Sequence, residues 1–458
     1  MGIALILFAL TAQSFPAQLT GFDRRWEEIK RQATPQELYA ILYDLPKGGD
    51  LHNHHEYSVP MRRWLELALE KKRFYYTRVK TSVCENEAQP LAFYTVRSST
   101  YEALPACMRA DYKRLDQLTA DERKAWVSAM ELDQPGEARD ELFERIVRRL
   151  GEMERDPELM TELLVEQMRQ AKAENTLYLE PQLDPRGFRN ADGTRMGEDK
   201  AADFVRRRLR TQADMGVTVR FQVSELRFFD DTEKDLANAF DFVHRNSDLW
   251  KGVNLVGRED NPLGRASRFV QVFRDLRRRY FDVHLALHGG ESDMPGRQVR
   301  DTLMLGAERI GHGVNLISDP ETMLWLRGNR FLIEINLVSN YLLDYSPDLA
   351  KHPLPEYLRL GIPVCLNTDD RGAYRSNLTD DYFLAVRHFN LSWKETVELG
   401  RNSLHFAFVE EPVKSRLLAT FEQRVRAFEL RYGGPAWKTA IQQPEPSPFA
   451  RERLLSLP

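Results

Sequence analysis

The sequence predicts an α/β fold, a (β/α)8 TIM barrel with an N-terminal helical extension and an insertion after the first strand. Eight short apolar runs alternate with segments long enough to form helices, a pattern that favours parallel βα units. Polar and titratable residues collect at the C-terminal ends of these runs, where barrel enzymes place their reacting groups. One long gap separates the first two runs and predicts an inserted subdomain.

The strand-like runs follow one another along most of the chain. Segments such as residues 202–216 and 262–281 separate them and are long enough for a barrel helix. The runs are GGDLHNH (48–54), TLYLEPQ (176–182), VTVRFQVSE (217–225), GVNLVG (252–257), VHLALHG (283–289), ERIGHG (308–313), FLIEINLVS (331–339) and IPVCLNTDD (362–370).

The chain divides into four predicted segments, of which the barrel is by far the largest. An inserted subdomain interrupts the barrel at residues 73–140. The segments are a signal peptide (1–17), an N-terminal helical extension (18–45), the barrel (46–433) and a C-terminal extension (434–458).

The N-terminus carries an apolar run, residues 3–10, that is too short to span a bilayer as a mature helix. Small and polar residues follow it, as in a secretory signal peptide, so we expect a secreted or periplasmic protein. A buried or membrane-associated segment is the alternative, because no Lys or Arg precedes the run. Once the signal is removed, we expect no stable membrane insertion.

The overall composition is that of an ordinary globular protein. Hydrophobic residues make up 42% and charged residues 29% of the 458 residues, enough apolar sequence for a substantial core. Lys+Arg 65 nearly balance Asp+Glu 69, and the Arg-rich stretch 206–210 fits a solvated helix face. The composition therefore argues against nucleic acid as a partner.

Three of the ten histidines lie in the stretch GGDLHNHHEYS at the end of the first run. Residues i and i+2 of a strand point to the same side, so His52 and His54 can face the barrel mouth together. Three imidazoles and one carboxylate with an open position suit a catalytic divalent metal, most naturally zinc. Water activated by such a metal, beside a carboxylic acid, would support hydrolysis. The further polar residues at strand ends are His288, Glu291, His312, Asp369 and Asp370.

Six motifs between residues 46 and 410 resemble those of the adenosine deaminase family of zinc-dependent barrel hydrolases. They are LHNHH, NLVGRED, LHGGES, RIGHG, LVSN and LNTDD. The resemblance implies hydrolytic deamination of the purine nucleosides adenosine and 2′-deoxyadenosine to inosine and 2′-deoxyinosine, with release of ammonia. It also implies one Zn²⁺ per chain. The implied ligands are His52, His54, His288 and Asp369.

The resemblance also assigns roles to the residues around the metal. His312 would orient the attacking water and help to deprotonate it, and Glu291 would donate a proton to purine N1. Asp370 would hydrogen-bond N7. The backbone N–H of Gly257 would face N3, where the missing side chain permits close approach.

The rim of the implied site is less strongly specified. His55 and Glu56 are expected to touch the ribose, or alternatively to lie exposed at the rim. Arg371, Gly289 and Arg258 depart from what many relatives carry near the same motifs. Because rim residues shape substrate choice, a modified adenine nucleoside remains an alternative substrate.

The insertion carries two cysteines and resembles that of the secreted, growth-factor-type branch of the family, which contains a disulfide. This implies a bond between Cys84 and Cys107, which export would permit. The same branch implies a homodimer assembled partly through the helices of residues 18–45. Cys365 lies in an apolar run, and we expect it to be a small buried hydrophobe.

Two other functions compete with nucleoside deamination. One is another barrel hydrolase acting on a lactone, amide or phosphoester, many of which bridge two metals with a modified lysine after the fourth strand. Here that strand ends NLVGRED, and its only lysine is Lys251 at the start. The other is an extracellular nucleoside-binding protein without turnover, which loss of Glu291, His312 or a metal ligand would indicate. None of these residues is missing.

Overall fold

A computed structural model describes residues 21–80 and 95–455 of the chain. The predicted signal peptide and Cys84 lie outside the described residues, so export and the disulfide stay predictions. Cys365 is buried and free, as expected. Across the described ranges, no helix combines the length and the apolar character that crossing a membrane requires.

Twelve strands are present in the described residues, and most are short. They are β1 Gly48–Asp50, β2 Tyr75–Arg78, β3 Thr95–Arg97, β4 Tyr112–Arg114, β5 Thr176–Leu179, β6 Thr218–Val219, β7 Phe221–Leu226, β8 Trp250–Val256, β9 His284–Gly289, β10 Arg309–His312, β11 Leu332–Ile335 and β12 Val364–Leu366.

Helices alternate with the strands over most of the same part of the chain. They are α1 Gly21–Gln32, α2 Pro35–Asp44, α3 Met61–Glu70, α4 Ser98–Ala103, α5 Ala106–Arg109, α6 Ala120–Ser128, α7 Arg139–Glu144, α8 Pro157–Ala173, α9 Glu198–Arg210, α10 Thr232–Arg245, α11 Val270–Arg279, α12 Gln298–Leu303, α13 Pro320–Asn329, α14 Leu337–Leu342, α15 Leu354–Leu360, α16 Leu378–His388, α17 Trp393–His405 and α18 Glu411–Tyr432.

Each of the eight predicted runs contains a parallel strand of the central sheet. The strands β7 to β12 pair in chain order, and β1, β5 and β6 form a second parallel group. Bridges from His54 to Gln182 and from Gln182 to Gln222 connect the two groups. At the other edge, the N–H of Asp369 donates to the carbonyl oxygen of His52 at 2.9 Å. The C-terminal ends of all eight runs therefore meet around one mouth, as the α/β prediction requires.

The third predicted run is divided into β6 and β7, with Arg220 between them. Strand β6 pairs with β5, whereas β7 pairs with β8, and the register of the latter pair shifts at Phe221. An irregularity of this kind bends a strand locally. It lets one continuous run serve both strand groups.

The helical extension consists of α1 and α2, which lie against the last helices of the barrel. Thr34 caps α2 in a capping box with Glu37, and Pro35 occupies the first turn. The buried indole of Trp26 donates to the carbonyl of Leu391 at 3.2 Å, and the Tyr39 hydroxyl donates to Asp380 at 3.0 Å. This packing joins the extension to the barrel. The predicted homodimer stays a prediction.

The inserted subdomain has a sheet of its own. Strand β2 pairs antiparallel with β3 and with β4, and helices α4 to α7 surround this sheet. The C-terminal extension also packs on the barrel, where Ser447 Oγ donates to Asp380 at 2.6 Å and Phe449 is buried. The insertion returns to the barrel through α7, which lies close to the mouth described below.

Candidate active site

The four predicted metal ligands come together at the barrel mouth. His52 and His54 follow β1, His288 lies in β9, and Asp369 follows β12. Asp369 Oδ1 is 3.3 Å from His54 Nε2 and 3.7 Å from His52 Nε2. The rings of His52 and His288 have centroids 4.4 Å apart. His52 Nε2 is buried and has no hydrogen-bond partner in the described part of the chain, as expected of a metal donor.

This donor set fits a divalent metal ion. Donor atoms of His52, His54 and Asp369 lie within 4.8 Å of one another, as do those of His52, His288 and His312. Imidazole nitrogen and carboxylate oxygen are the donors of catalytic sites that keep one position open for water. Asp369 and His312 adopt positive φ angles of 53° and 65°, a conformation that is uncommon for non-glycine residues.

Second partners fix the orientation of the metal-binding rings. His52 Nδ1 contacts Glu334 Oε2 at 2.9 Å, and His288 Nδ1 contacts Asn254 Oδ1 at 3.0 Å. An acceptor at Nδ1 holds the proton there and leaves Nε2 free to bind a metal. Both Glu334 and Asn254 are buried within strands. The sequence analysis did not single them out, although a polar residue inside an apolar run is a usable signal.

Glu291 lies next to the metal-binding residues and is almost fully buried. Burial raises the pKa of the Glu291 carboxyl well above its usual range, and the nearby carboxylates of Asp369 and Glu259 raise it further. Glu291 Oε1 is 3.7 Å from His312 Nε2. A carboxyl group that stays protonated at neutral pH can donate a proton, which is the role predicted for this residue.

A cavity of about 430 Å³ opens beside these groups, a size that suits a small organic ligand. The cavity has an apolar wall and an acidic end. Three of the four predicted metal ligands, His54, His288 and Asp369, and the acid Glu291 also line it, whereas the fully buried His52 does not. The apolar wall includes Phe143, Val147, Phe228, Phe229 and Leu343; the acidic end consists of Glu56, Glu154 and Asp184.

Gly257 and Asp370 both line this cavity, as predicted. Gly257 directly follows β8 with a φ of 93°, and a Cβ there would lie 2.6 Å from Phe228 Cε1. The absence of a side chain therefore keeps the backbone accessible from the cavity. Burial raises the pKa of Asp370, although His54 opposes this rise. Asp370 is thus able to share a proton with a ring nitrogen.

The family model for adenosine deaminase matches residues 108–424, more than half of the chain. The chain belongs to the adenosine deaminase family. The match confirms the family that the six motifs predicted. Membership of the secreted branch of this family stays a prediction.

Individual members of the adenosine deaminase family match parts of the chain. An adenosine deaminase of Vibrio cholerae serotype O1 is 36% identical over 167 residues, covering 36% of this chain and 49% of that protein. An adenine deaminase of Agrobacterium fabrum is 30% identical over 275 residues, covering 60% of this chain and 81% of that protein. The chain thus spans about half the length of the first of these curated relatives.

A solved structure of low sequence identity shares the fold. An amidohydrolase from Burkholderia ambifaria with bound zinc superimposes with a TM-score of 0.63 at 20% identity, covering 86% of this chain and 94% of that chain. The predicted fold class is therefore confirmed.

His55, one of the two predicted rim residues, does not line the cavity. Glu56 lines the cavity, but the buried His55 ring points away from it, with Nε2 2.8 Å from the Met160 carbonyl and Nδ1 3.3 Å from Gln167 Oε1. A 3-10 turn begins at His55, directly after His54. The turn rotates the side chain towards α8, so the expectation of a ribose contact or an exposed rim position for His55 was wrong.

The three departures from the family motifs have structural explanations. Arg371 is buried and donates to Glu174 Oε1 at 2.8 Å. A Cβ on Gly289 would lie 2.8 Å from Thr302 Oγ1, so a larger residue would require Thr302 to move. Arg258 pairs with Asp140 at the start of α7 and does not line the cavity. None of the three contacts a predicted metal ligand through these interactions.

Helix α7 of the insertion covers one side of the mouth. Phe143 of this helix lines the cavity, and two ion pairs attach α7 to barrel loops. The Arg139 guanidinium contacts both Asp293 oxygens at 3.0 and 3.2 Å, and Arg258 Nη1 contacts Asp140 Oδ1 at 2.5 Å. The insertion was predicted to end at residue 140. Helix α7 crosses this boundary, and its place beside the cavity was not predicted.

Proposed function

We propose that this chain catalyses the zinc-dependent hydrolytic deamination of adenosine or 2′-deoxyadenosine to inosine or 2′-deoxyinosine and ammonia. One observation carries the proposal: His54, His288 and Asp369 of the metal-binding set, the buried acid Glu291 and the acceptor Asp370 all line one cavity of about 430 Å³. Membership of the adenosine deaminase family supports the reaction class. Relatives named adenosine deaminase and adenine deaminase support an adenine ring as the group attacked.

His52, His54, His288 and Asp369 would hold the zinc ion, which when bound lowers the pKa of a coordinated water towards about 7. The remaining steps belong to side chains of the chain itself. Glu291 donates its proton to N1, which makes C6 more electrophilic, while Asp370 shares a proton with N7. The N–H of Gly257 faces N3. Water adds its oxygen to C6; one of its protons restores the Glu291 acid and the other passes to the amino group, which leaves as ammonia.

The acidic end of the cavity favours a nucleoside over a nucleotide. Burial and the neighbouring Glu56 together raise the pKa of Glu154 to about 8, so the protonated form predominates at neutral pH and can donate to a sugar hydroxyl. Asp184 is paired with Arg186 at 2.6 Å. The only Arg or Lys among the described lining residues is the exposed Arg148. A phosphate buried at this end would therefore have no buried cation among the described lining residues to pair with, and burying an unpaired charge is costly.

A bridged two-metal hydrolase is the less favoured alternative. Among the described residues that line the cavity there is no lysine to carry a bridging modification. Lys251, at the opposite end of β8, is held by Glu410 at 2.7 Å. A modified adenine nucleoside or free adenine remains the closer alternative, because only the sugar end and the apolar wall would differ in their contacts.

Purified, zinc-loaded protein is expected to convert adenosine to inosine. Ultraviolet absorbance and the release of ammonia measure this conversion. A strong chelator should abolish turnover and zinc should restore it, since hydrolysis needs the activated water. AMP is expected to react at least about 100-fold more slowly in kcat/KM, because no buried cation among the described lining residues pairs with its phosphate. Absence of turnover on adenosine, 2′-deoxyadenosine, adenine and N6-methyladenosine, with zinc bound, would contradict the proposal.

Arg139→Gln is expected to weaken the attachment of α7 over the mouth. The side chains of Arg139 and Asp293 are partly exposed, so the KM for adenosine should rise by only about two- to fivefold at low salt with kcat unchanged. Added salt should reduce the difference between variant and unchanged protein, because it screens exposed ion pairs. Arg145→Gln is the matched control, since Arg145 pairs with Glu141 of the same helix. Equal KM values at low salt would show that the pair does not hold α7.

A further inference from the structure

A chain of buried hydrogen bonds leads from a helix N-terminus to His312. The backbone N–H of Leu354 donates to His352 Nδ1 at 3.2 Å. His352 Nε2 lies 3.2 Å from Asn340 Oδ1, and Asn340 Nδ2 lies 3.3 Å from His312 Nδ1. His312, Asn340 and His352 are each at most 3% exposed. Solvent therefore does not replace any link of this chain.

The direction of every link follows from the first one. Leu354 begins α15, and a backbone N–H in the first turn of a helix has no partner within the helix and can only donate. His352 Nδ1 must therefore accept, and the proton of the neutral His352 ring is on Nε2. Burial lowers the pKa of His352 to about 3, so the ring is neutral at pH 7.

The proton on His352 Nε2 fixes the amide of Asn340. A donor at Nε2 requires the amide oxygen opposite it, which turns the Asn340 NH₂ group towards His312. Asn336 Nδ2 lies 3.2 Å from the same His312 nitrogen and can donate there as well. The Asn336 amide alone could face either way. The Asn340 amide cannot, because His352 holds its oxygen.

We infer that His352 and Asn340 are positioning residues that hold the neutral His312 ring with its proton on Nε2. The inference rests on the proposed function for its catalytic consequence. The His312 ring lines the cavity. Its Nε2 atom is buried and has no hydrogen-bond partner within residues 21–80 and 95–455. In this tautomer His312 donates a hydrogen bond to the attacking oxygen and keeps its own proton. This differs from the predicted help in deprotonating the water.

Nuclear magnetic resonance of the zinc-free protein labelled with ¹⁵N-histidine tests the tautomer directly. The signals of His312 are identified by their loss in His312→Gln. We expect a proton bonded to Nε2 of His312 and an unprotonated Nδ1. A proton on Nδ1 in the unchanged protein overturns the inference, whether or not any variant folds.

Asn340→Asp tests whether the chain of hydrogen bonds causes this tautomer. The carboxylate has the size of the amide but accepts at both oxygens, so the His312 proton should move to Nδ1. With zinc bound, kcat should fall by about 100-fold, as for loss of one preorganised donor. Asn402→Asp is the matched control: this buried asparagine donates to the Val364 carbonyl, and its variant should leave the His312 signals unchanged. An unmoved proton in Asn340→Asp would overturn the inferred role of Asn340.

The tautomer and the proposed function fail separately. If the proton is found on Nε2 of His312 but the protein deaminates no adenine compound, the hydrogen-bond chain is supported and the proposed function is refuted. If the protein deaminates adenosine but the proton is found on Nδ1 of His312, the proposed function is supported and the inferred role of the hydrogen bonds is refuted.

Discussion

Glu291→Gln is expected to fold, to bind zinc as the unchanged chain does, and to lose about 10²- to 10⁴-fold in kcat. The amide fills the same space as a carboxylic acid and can still form a hydrogen bond to N1. It cannot transfer a proton to that nitrogen. Without protonation of N1, C6 is a weaker electrophile, and the loss therefore appears in kcat more than in KM.

The surroundings of Glu291 explain why this carboxyl group is suited to the role. It is 4% exposed, and its backbone N–H donates to Glu259 Oε1 at 3.0 Å. Burial and the carboxylates of Asp369 and Glu259 raise its pKa, while Arg227 opposes them. The balance favours the protonated acid, which is the form that an N1 donor must have before the reaction.

The measurement is steady-state kinetics on adenosine, with zinc content determined on the same samples. Glu308→Gln is the control, because Glu308 pairs with His284 at the far end of the neighbouring strands. The control should keep near-normal kcat. Near-normal turnover in Glu291→Gln with zinc still bound would remove Glu291 as the proton donor.

Much of the site was predictable because two simple rules about β-strands apply to it. The period of two along a strand places His52 and His54 on one side, and parallel strands bring His288 and Asp369 to the same mouth. Both rules act within short stretches of sequence. They bring polar residues to one mouth, while the choice of His52, His54, His288 and Asp369 as the ligands followed from the resemblance to the adenosine deaminase family.

Other features depend on contacts between distant segments and were not predictable. His55 follows His54 directly, but the 3-10 turn that directs its ring to Met160 is determined by the packing of α8. Phe143 lies in α7, just beyond the predicted end of the insertion at residue 140, and the sequence gives no sign that this helix reaches the cavity. The link from His352 to His312 spans 40 residues and depends on the geometry of Asn340.

The buried partners of His52 also depend on contacts between distant segments. Their loss is expected to have a large effect on the stability of the fold. Arg309 contacts Glu334 Oε1 through Nε at 2.6 Å, pairs closely with Glu180, and donates to the Phe406 carbonyl at 2.9 Å. All three charged side chains are at most 1% exposed. Glu334 in turn holds Nδ1 of His52. One buried arginine thus neutralises two carboxylates beneath the metal site.

Arg309→Met is expected to lower the free energy of unfolding by about 3–5 kcal/mol, because it leaves buried carboxylates without their partner. Denaturant and thermal unfolding of the zinc-free protein measure this loss. Arg401→Met is the matched control, since Arg401 pairs with Glu422 at the partly exposed surface of two helices. That change should cost less than about 1 kcal/mol.

The same substitution should also affect the metal. Without Arg309, Glu334 can take up a proton or turn away, and His52 loses the acceptor that orients its ring. Loss of such a partner typically costs about 10- to 100-fold in metal affinity. Adding Glu180→Gln to Arg309→Met should restore part of the stability, because one uncompensated charge is removed, but should not restore zinc affinity, because Glu334 remains unpaired. If zinc affinity recovered together with stability, the network would be acting through general destabilisation and not through the orientation of His52.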